Sequence, residues 1–182
     1  MTRRLPVAAE LFLIGAVLGL VGDAAHVQAG ITEYHWDLPT IWKSAIWFPL
    51  LVGGGVTLGG WVGSRVGSPA RRHSRREAYI AAAAILGIYC LTTVVADAPS
   101  IAANGICWAM VVWLWWDDSP RAFGFGVIAM LVGPAVEILA VELGASRYLP
   151  AYDEIFGVAA WLLPLYFATG AVLSGIWRAL ER

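Results

Sequence analysis

Charge is what this sequence has least of: Asp, Glu, Lys and Arg make up 14% of its 182 residues, while 59% are hydrophobic. An ordinary soluble domain carries about a quarter charged residues. With a mean hydropathy of +0.70, the composition excludes a soluble globular domain and predicts an integral membrane protein. Cysteine is nearly absent too. Cys90 and Cys107 both lie in apolar runs, so a disulfide scaffold is not indicated. His26, His35 and His73 never pair at ligand spacing, so no metal site is expected. HExxH, GxSxG, Walker A and dinucleotide fingerprints are missing, which leaves no catalytic residue and no cofactor to assign. The nearest approach to an intramembrane protease is Tyr152-Asp153 with Gly22-Asp23. The first pair falls in a loop and the second has Leu20 where that pattern needs glycine. No nucleic-acid partner is expected. Lysine occurs once, at Lys43, against eleven arginines, and with abundant alanine and glycine this suggests a GC-rich bacterial genome.

What is present is a series of long apolar runs. Requiring roughly 17 to 25 mostly apolar residues per span marks six: Leu5 to Val27, Leu38 to Val62, Ala78 to Ala96, Pro99 to Trp116, Ala122 to Leu143 and Ile155 to Trp177. The expected fold is therefore an all-α, six-helix transmembrane domain covering residues 1–182. Asp97, Ala98 and Pro99 alone separate the third and fourth runs, which predicts a tight hairpin with Pro99 in a helix first turn. The first run is longer than a signal peptide's apolar region and contains Glu10, so it reads as a retained helix.

Orientation follows from the basic residues, which gather on the cytoplasmic side of short loops. Arg3, Arg4, Arg65, Arg71, Arg72, Arg75, Arg76, Arg121, Arg178 and Arg182 share one side, leaving Lys43 and Arg147 on the other. Both termini should then be cytoplasmic, in a plasma membrane if the chain is bacterial and in the endoplasmic reticulum if it is eukaryotic. The run SRVGSPARRHSRRE reads first as a topology signal and second as a holder of anionic lipid head groups. Tryptophans, among them Trp36, Trp42, Trp47, Trp61, Trp115, Trp116 and Trp177, fall near predicted helix ends, where an aromatic belt belongs. Small residues recur at packing spacing, as Gly15-xxx-Gly19, Gly55-xxx-Gly59-xxx-Gly63 and Gly170-xxx-Ser174. These let helices approach closely, within one chain or between copies in a homo-oligomer.

The stretch from Trp115 to Gly144, WWDDSPRAFGFGVIAMLVGPAVEILAVELG, is the one around which the rest is expected to be organised. Asp23 and His26, at i, i+3 near a helix end, read as an interfacial cap. Glu10 and Glu142 can reach the membrane surface. Glu137 cannot easily do so, because it lies about 21 Å along a helix starting near Phe123. An ionisable side chain at that depth is a functional-site hypothesis by default; the bland alternative is a neutral acid bonded to a neighbouring helix. Pro134, one turn earlier, cannot donate its backbone hydrogen bond, which predicts a kink and a free Met130 carbonyl.

Along nearly its whole length the chain resembles the Insig (insulin-induced gene) family. The resemblance is carried by ELFLIGAVLGLV in helix 1, SAIWFPLLVGG in helix 2, VGSPARRHSRRE in the basic loop, WLWW closing helix 4, FGFGV opening helix 5 and AWLLPLYFATG in helix 6. It implies a non-enzymatic, lipid-responsive membrane protein, since known members reside in the endoplasmic reticulum, bind oxysterols among their helices and act on sterol-sensing partners. It implies partner-binding roles for Asp117 and Asp118, approximate counterparts of the family's aspartate after the tryptophan pair. A glutamine near the family's sterol site falls at Ala102, and the polar signature late in helix 3 falls on YCLTTVVAD, Tyr89 to Asp97, where it is largely lost.

The expected function is thus binding of a neutral, sterol-like or diacylglycerol-like lipid. The predicted walls are Phe12, Val17, Ile85, Tyr89, Ile101, Ala102, Met130 and Ile138, with Glu137 in the polar niche. A small lipid or solute carrier and a ligand-free module that binds another membrane protein stand as the alternatives.

Overall fold

The structure, a computed structural model, describes residues 5–35, 37–66, 71–94 and 98–182, without the side chains of 98–100. Arg3 and Arg4, Trp36, the centre of the basic loop at 67–70 and the Ala96–Asp97 part of the expected hairpin lie outside the described residues, as does the side chain of Pro99. Six helices form the body: α1 (Val7–Ala29), α2 (Trp47–Val66), α3 (Arg75–Leu91), α4 (Ala98–Trp116), α5 (Pro120–Glu142) and α6 (Leu162–Glu181). Among the described residues, α1 and α5 are the two long and apolar enough to cross a membrane by length and composition alone, each with 23 residues.

Local chemistry sets most helix ends. Pro6 precedes α1, and Gly30, at φ +70°, closes it with its N–H on Val27 O. Ser74 and Glu77 form a reciprocal capping box at the start of α3, and the Ser119 hydroxyl accepts from the Ala122 N–H while Pro120 opens α5. Helix α3 ends at Leu91, short of the expected Ala96.

The all-α expectation needs correction at one end of the bundle, where two small antiparallel sheets sit. Strands β1 (Thr32–Tyr34) and β4 (Ser146–Tyr148) pair with Glu33 opposite Arg147, and the Arg147 guanidinium makes an ion pair with Glu33. Strands β2 (Thr40–Ile41) and β3 (Ser44–Ala45) form a hairpin whose two-residue turn, Trp42-Lys43, has φ +50° and +72°. Positive φ at both central residues is the type I′ geometry that matches strand twist. This hairpin delays α2 from Leu38 to Trp47. A second tight turn, with Phe156 at φ +49° and Gly157 at φ +87°, is closed by the Ile155–Val158 bridge and delays α6 from Ile155 to Leu162.

The organising element is α6, not the α4–α5 stretch. It is buried along nearly its whole length and packs against α2, α3, α4 and α5, whereas α5 buries only Ala122, Gly126, Pro134 and Glu137. Small residues make this possible. A Cβ on Gly170 would lie 2.5 Å from Phe125 O, one on Gly63 2.9 Å from Ser174 Cβ, and one on Gly15 3.0 Å from Val56 Cβ. At these crossings backbone meets backbone or a first side-chain carbon, so dispersion contacts form that larger residues would prevent.

The basic residues tie the helix ends together at the other end of the bundle. Arg75 donates to Glu10 at 2.6 Å and to Leu180 O, and Tyr79 also donates to Glu10. Glu10 is thus a buried, paired carboxylate rather than one reaching for the surface. Arg178 bonds Ser64 O, Arg182 bonds His73 O, and the His73 ring stacks on Trp116 at 3.7 Å.

Candidate functional site

Helices α1 and α2 pack on each other, as do α5 and α6, and between the two pairs lies a cavity of about 480 Å³ backed by α3. Its walls are mostly aliphatic: Leu11, Ile14 and Leu18 from α1, Val52 and Val56 from α2, Ala82 and Ile85 from α3, Val132 from α5, and Leu165 and Leu173 from α6, with Phe48 and Phe125 beside them. Thr169 also faces it but turns its hydroxyl onto Leu165 O. Polarity collects where Glu137, Tyr166 and Tyr89 line the wall.

Glu137 is held from two sides. The Tyr166 hydroxyl donates to one carboxyl oxygen at 2.9 Å, and the Tyr148 hydroxyl reaches the other at 3.5 Å. Tyr166 fits only because residue 133 is glycine; a Cβ there would sit 2.2 Å from Tyr166 Cδ1. Tyr148 is brought in by β4. Burial first, and the Glu137 carboxyl next, hold its phenol well above the ordinary tyrosine range, so it remains a donor.

Behind this pair lies a second polar group. The Tyr34 hydroxyl, on β1, donates to Asp23 at 2.7 Å, with Ser44 of β3 beside both. Burial, then the Asp23 carboxyl, raise the Tyr34 phenol. His26 stacks on Trp161 at 4.7 Å and bonds Thr92 through Nε2. Thr92 spends its own proton on Tyr89 O at 2.6 Å, so Nε2 of His26 must be the donor. Asp23 and His26 are therefore buried members of this network, 3% and 1% exposed, and not an interfacial cap. The strands of the two sheets cover what would otherwise be a solvated helix end.

Of the predicted lipid contacts, the structure brings Ile85, Tyr89 and Glu137 to the cavity. The other six lie elsewhere. Phe12 packs over Gly53 in the α1–α2 seam, and Val17 is 56% exposed on the outer face of α1. Ile101 is in the packed core, Met130 and Ile138 lie against that core, and Ala102 sits on α4, none of whose described side chains lines the walls. The reason is common to all six: α4 packs on the far side of α6 and α3, and on α1 and α5 the inward faces are those of Ile14 and Gly133. Helix α5 continues through Pro134 without interruption.

The two aspartates differ. Asp117 is buried, 2% exposed, and accepts from the Ser119 N–H, whereas Asp118 is half exposed and pairs with Arg71 at 3.3 Å. The residues that sequence reasoning missed are Tyr166, Tyr148, Tyr34 and Gly133. The signals available were a tyrosine inside AWLLPLYFATG and a glycine one turn before a buried acid.

With this geometry in hand, the comparisons with known proteins are direct. No protein-family model matches the sequence. An INSIG protein homolog of Mycolicibacterium vanbaalenii is 39% identical over 177 residues, covering 96% of this chain and 86% of that protein. Insulin-induced gene 2 protein of Xenopus laevis is 29% identical over 179 residues, covering 94% of this chain and 81% of that one. The crystal structure of MvINS, the mycobacterial Insig homolog, matches with a TM-score of 0.91 at 36% identity, covering 100% of this chain and 97% of that one. A cross-linked MvINS trimer matches with a TM-score of 0.90. Close similarity across both lengths, in sequence and in fold, leads to one conclusion: this chain belongs to the Insig protein family.

Proposed function

We propose that the protein is a non-enzymatic membrane protein that holds one neutral, hydroxyl-bearing lipid, sterol-like or diacylglycerol-like, in the cavity between the α1–α2 and α5–α6 pairs. The observation that carries this is the pairing of a largely apolar chamber with a hydrogen-bonded polar station, Glu137 and Tyr166, on its wall. Its volume of about 480 Å³ lies within the range typical of small-molecule sites, about 300–1,000 Å³. Among the described residues no basic side chain faces it, so a phosphate-bearing head group would be left unpaired, whereas a hydroxyl can both donate and accept at Glu137 and Tyr166. In this reading all six helices span a plasma membrane with both termini cytoplasmic, an orientation supported by the arginines gathered at the helix ends around Ser64, His73 and Leu180. The cross-linked MvINS trimer supports a homo-oligomer here, and the half-exposed Asp118 is the more accessible of the two aspartates for a membrane-protein partner.

Mass spectrometry of lipid extracted from the purified protein tests the reading. Ile85→Trp should fill the chamber and remove the co-purifying lipid while the protein stays monodisperse. Glu137→Gln should retain it, and Glu137→Leu should weaken retention by about 1 kcal/mol, the net worth of one hydrogen bond. The same lipid in the same amount from wild type and Ile85→Trp would overturn the proposal.

A further inference from the structure

The cavity is not enclosed on all sides. Helices α2 and α5, which run antiparallel on either side of it, make little direct contact, whereas each packs tightly on its own partner, α1 or α6. Along this seam the residues that line the cavity are also exposed: Leu51 45%, Leu58 61% and Val62 39% on α2, and Ile128 58%, Val132 56% and Val136 38% on α5. A lipid-facing side chain ordinarily belongs to a face turned away from the interior. Here the same side chains border both, so the chamber and the surrounding apolar phase are continuous. In the middle of the seam stands Gly55, on the cavity wall, with nothing within 4 Å of where a Cβ would be. On its α6 side, Gly59, Gly60 and Gly63 bring α2 onto Leu173 and Ser174.

We infer that the α2–α5 seam is a lateral entrance through which one acyl chain of a bilayer lipid passes between the membrane and the cavity. The inference rests on the lipid-binding reading above and adds a route to it. All six bordering side chains are aliphatic, so the seam offers a passing chain dispersion contact and no hydrogen-bonding partner. A polar head group gains nothing there, whereas Glu137 with Tyr166 offers it a hydrogen-bonded station on the cavity wall. From Leu51 to Val62 the seam runs about 16 Å at the helical rise per residue, long enough for an extended chain to enter sideways. Gly55, where a Cβ would meet nothing within 4 Å, leaves the seam its width.

The test uses full-length protein in phosphatidylcholine vesicles. A photoactivatable diacylglycerol is added to the bilayer, and its attachment to the α3 segment carrying Ile85 and Tyr89, inside the cavity, is followed against time by mass spectrometry. Gly55→Trp and, independently, Leu58→Trp should slow the initial rate of attachment about tenfold, as expected when bulk must be displaced from a filled gap. Gly54→Trp is the control, since residue 54 also has open space around it but does not border the cavity; it should label at the wild-type rate. Wild-type rates in both Gly55→Trp and Leu58→Trp would overturn the entrance while leaving lipid binding intact. Failure of wild-type protein to label at the cavity at all would overturn the lipid-binding reading and the entrance together.

Discussion

Gly133→Ala is the substitution that asks most of this structure, because two effects of opposite sign meet at one methyl group. In a helix interior, replacing glycine by alanine is favourable by about 1 kcal/mol. At residue 133, however, the new Cβ would lie 2.2, 2.3 and 2.5 Å from Cδ1, Cγ and Cε1 of Tyr166. Ordinary contact begins at about 3.4 Å, so the ring must retreat by about 1 Å. Cγ is bonded directly to Cβ, which leaves the side chain no remote joint to swing on, and α6 itself is fixed by backbone contact at Gly170. Overpacking of this kind costs about 1–3 kcal/mol. The retreat also draws the Tyr166 hydroxyl away from Glu137, now 2.9 Å distant, at a further cost of about 1 kcal/mol. The opposing terms leave a net destabilisation of about 1–3 kcal/mol. Denaturant unfolding in detergent, followed by tryptophan fluorescence, measures it. Gly124→Ala in the same helix provides the reference, because a Cβ there meets nothing within 4 Å, and it should be neutral or stabilising. Gly133→Ala as stable as Gly124→Ala would refute the packing argument at the polar station.

Three further outcomes are expected. Arg75→Leu removes the charged partner of the buried Glu10 carboxylate and should destabilise by about 1–3 kcal/mol, less than the ~3–5 kcal/mol for breaking a fully buried pair because the arginine is itself 27% exposed; a melting curve unchanged from wild type would contradict the pairing. Asp117→Ala should cost about 1–2 kcal/mol through the lost turn bond to Ser119, while Asp118→Ala, breaking an exposed pair, should stay under about 0.5 kcal/mol; equal effects in thermal denaturation would contradict the difference in burial. His73, buried on Trp116 and flanked by Glu77, Asp117 and Arg71, is held below the ordinary histidine pKa, chiefly by burial. The folded protein then binds fewer protons than the unfolded one, so stability should be full above about pH 6.5 and fall as the pH drops below it. His73→Phe, which keeps the ring stack, should flatten that part of the pH–stability profile.

The sequence by itself determined the number of helices, the ends of α1, α4 and α5 to within two residues, and the family. Apolar runs of membrane-crossing length admit few alternatives, and the end signals act locally: Pro6 and Gly30 around α1, the Ser74–Glu77 box before α3, and Ser119-Pro120 before α5. Glu137 was legible for the same kind of reason, since an acid in an apolar run is costly wherever the run folds. The tertiary structure alone decided which faces look inward. Where lipid surrounds the bundle, a helix's outer face is as apolar as its core face, so no stripe of polarity distinguishes Val17, which faces out, from Ile14, which faces the cavity. For that reason α6, apolar over most of its length, gave no sign that it is the central helix, and Ala102 gave none that α4 lies outside the cavity wall. The strands β1 and β4 were hidden because they are short and pair across distant parts of the chain, as Thr32 does with Tyr148. That pairing, which no local pattern encodes, carries Tyr34 to Asp23 and Tyr148 to Glu137, and so turns an acid that looked like a surface cap into part of a buried network.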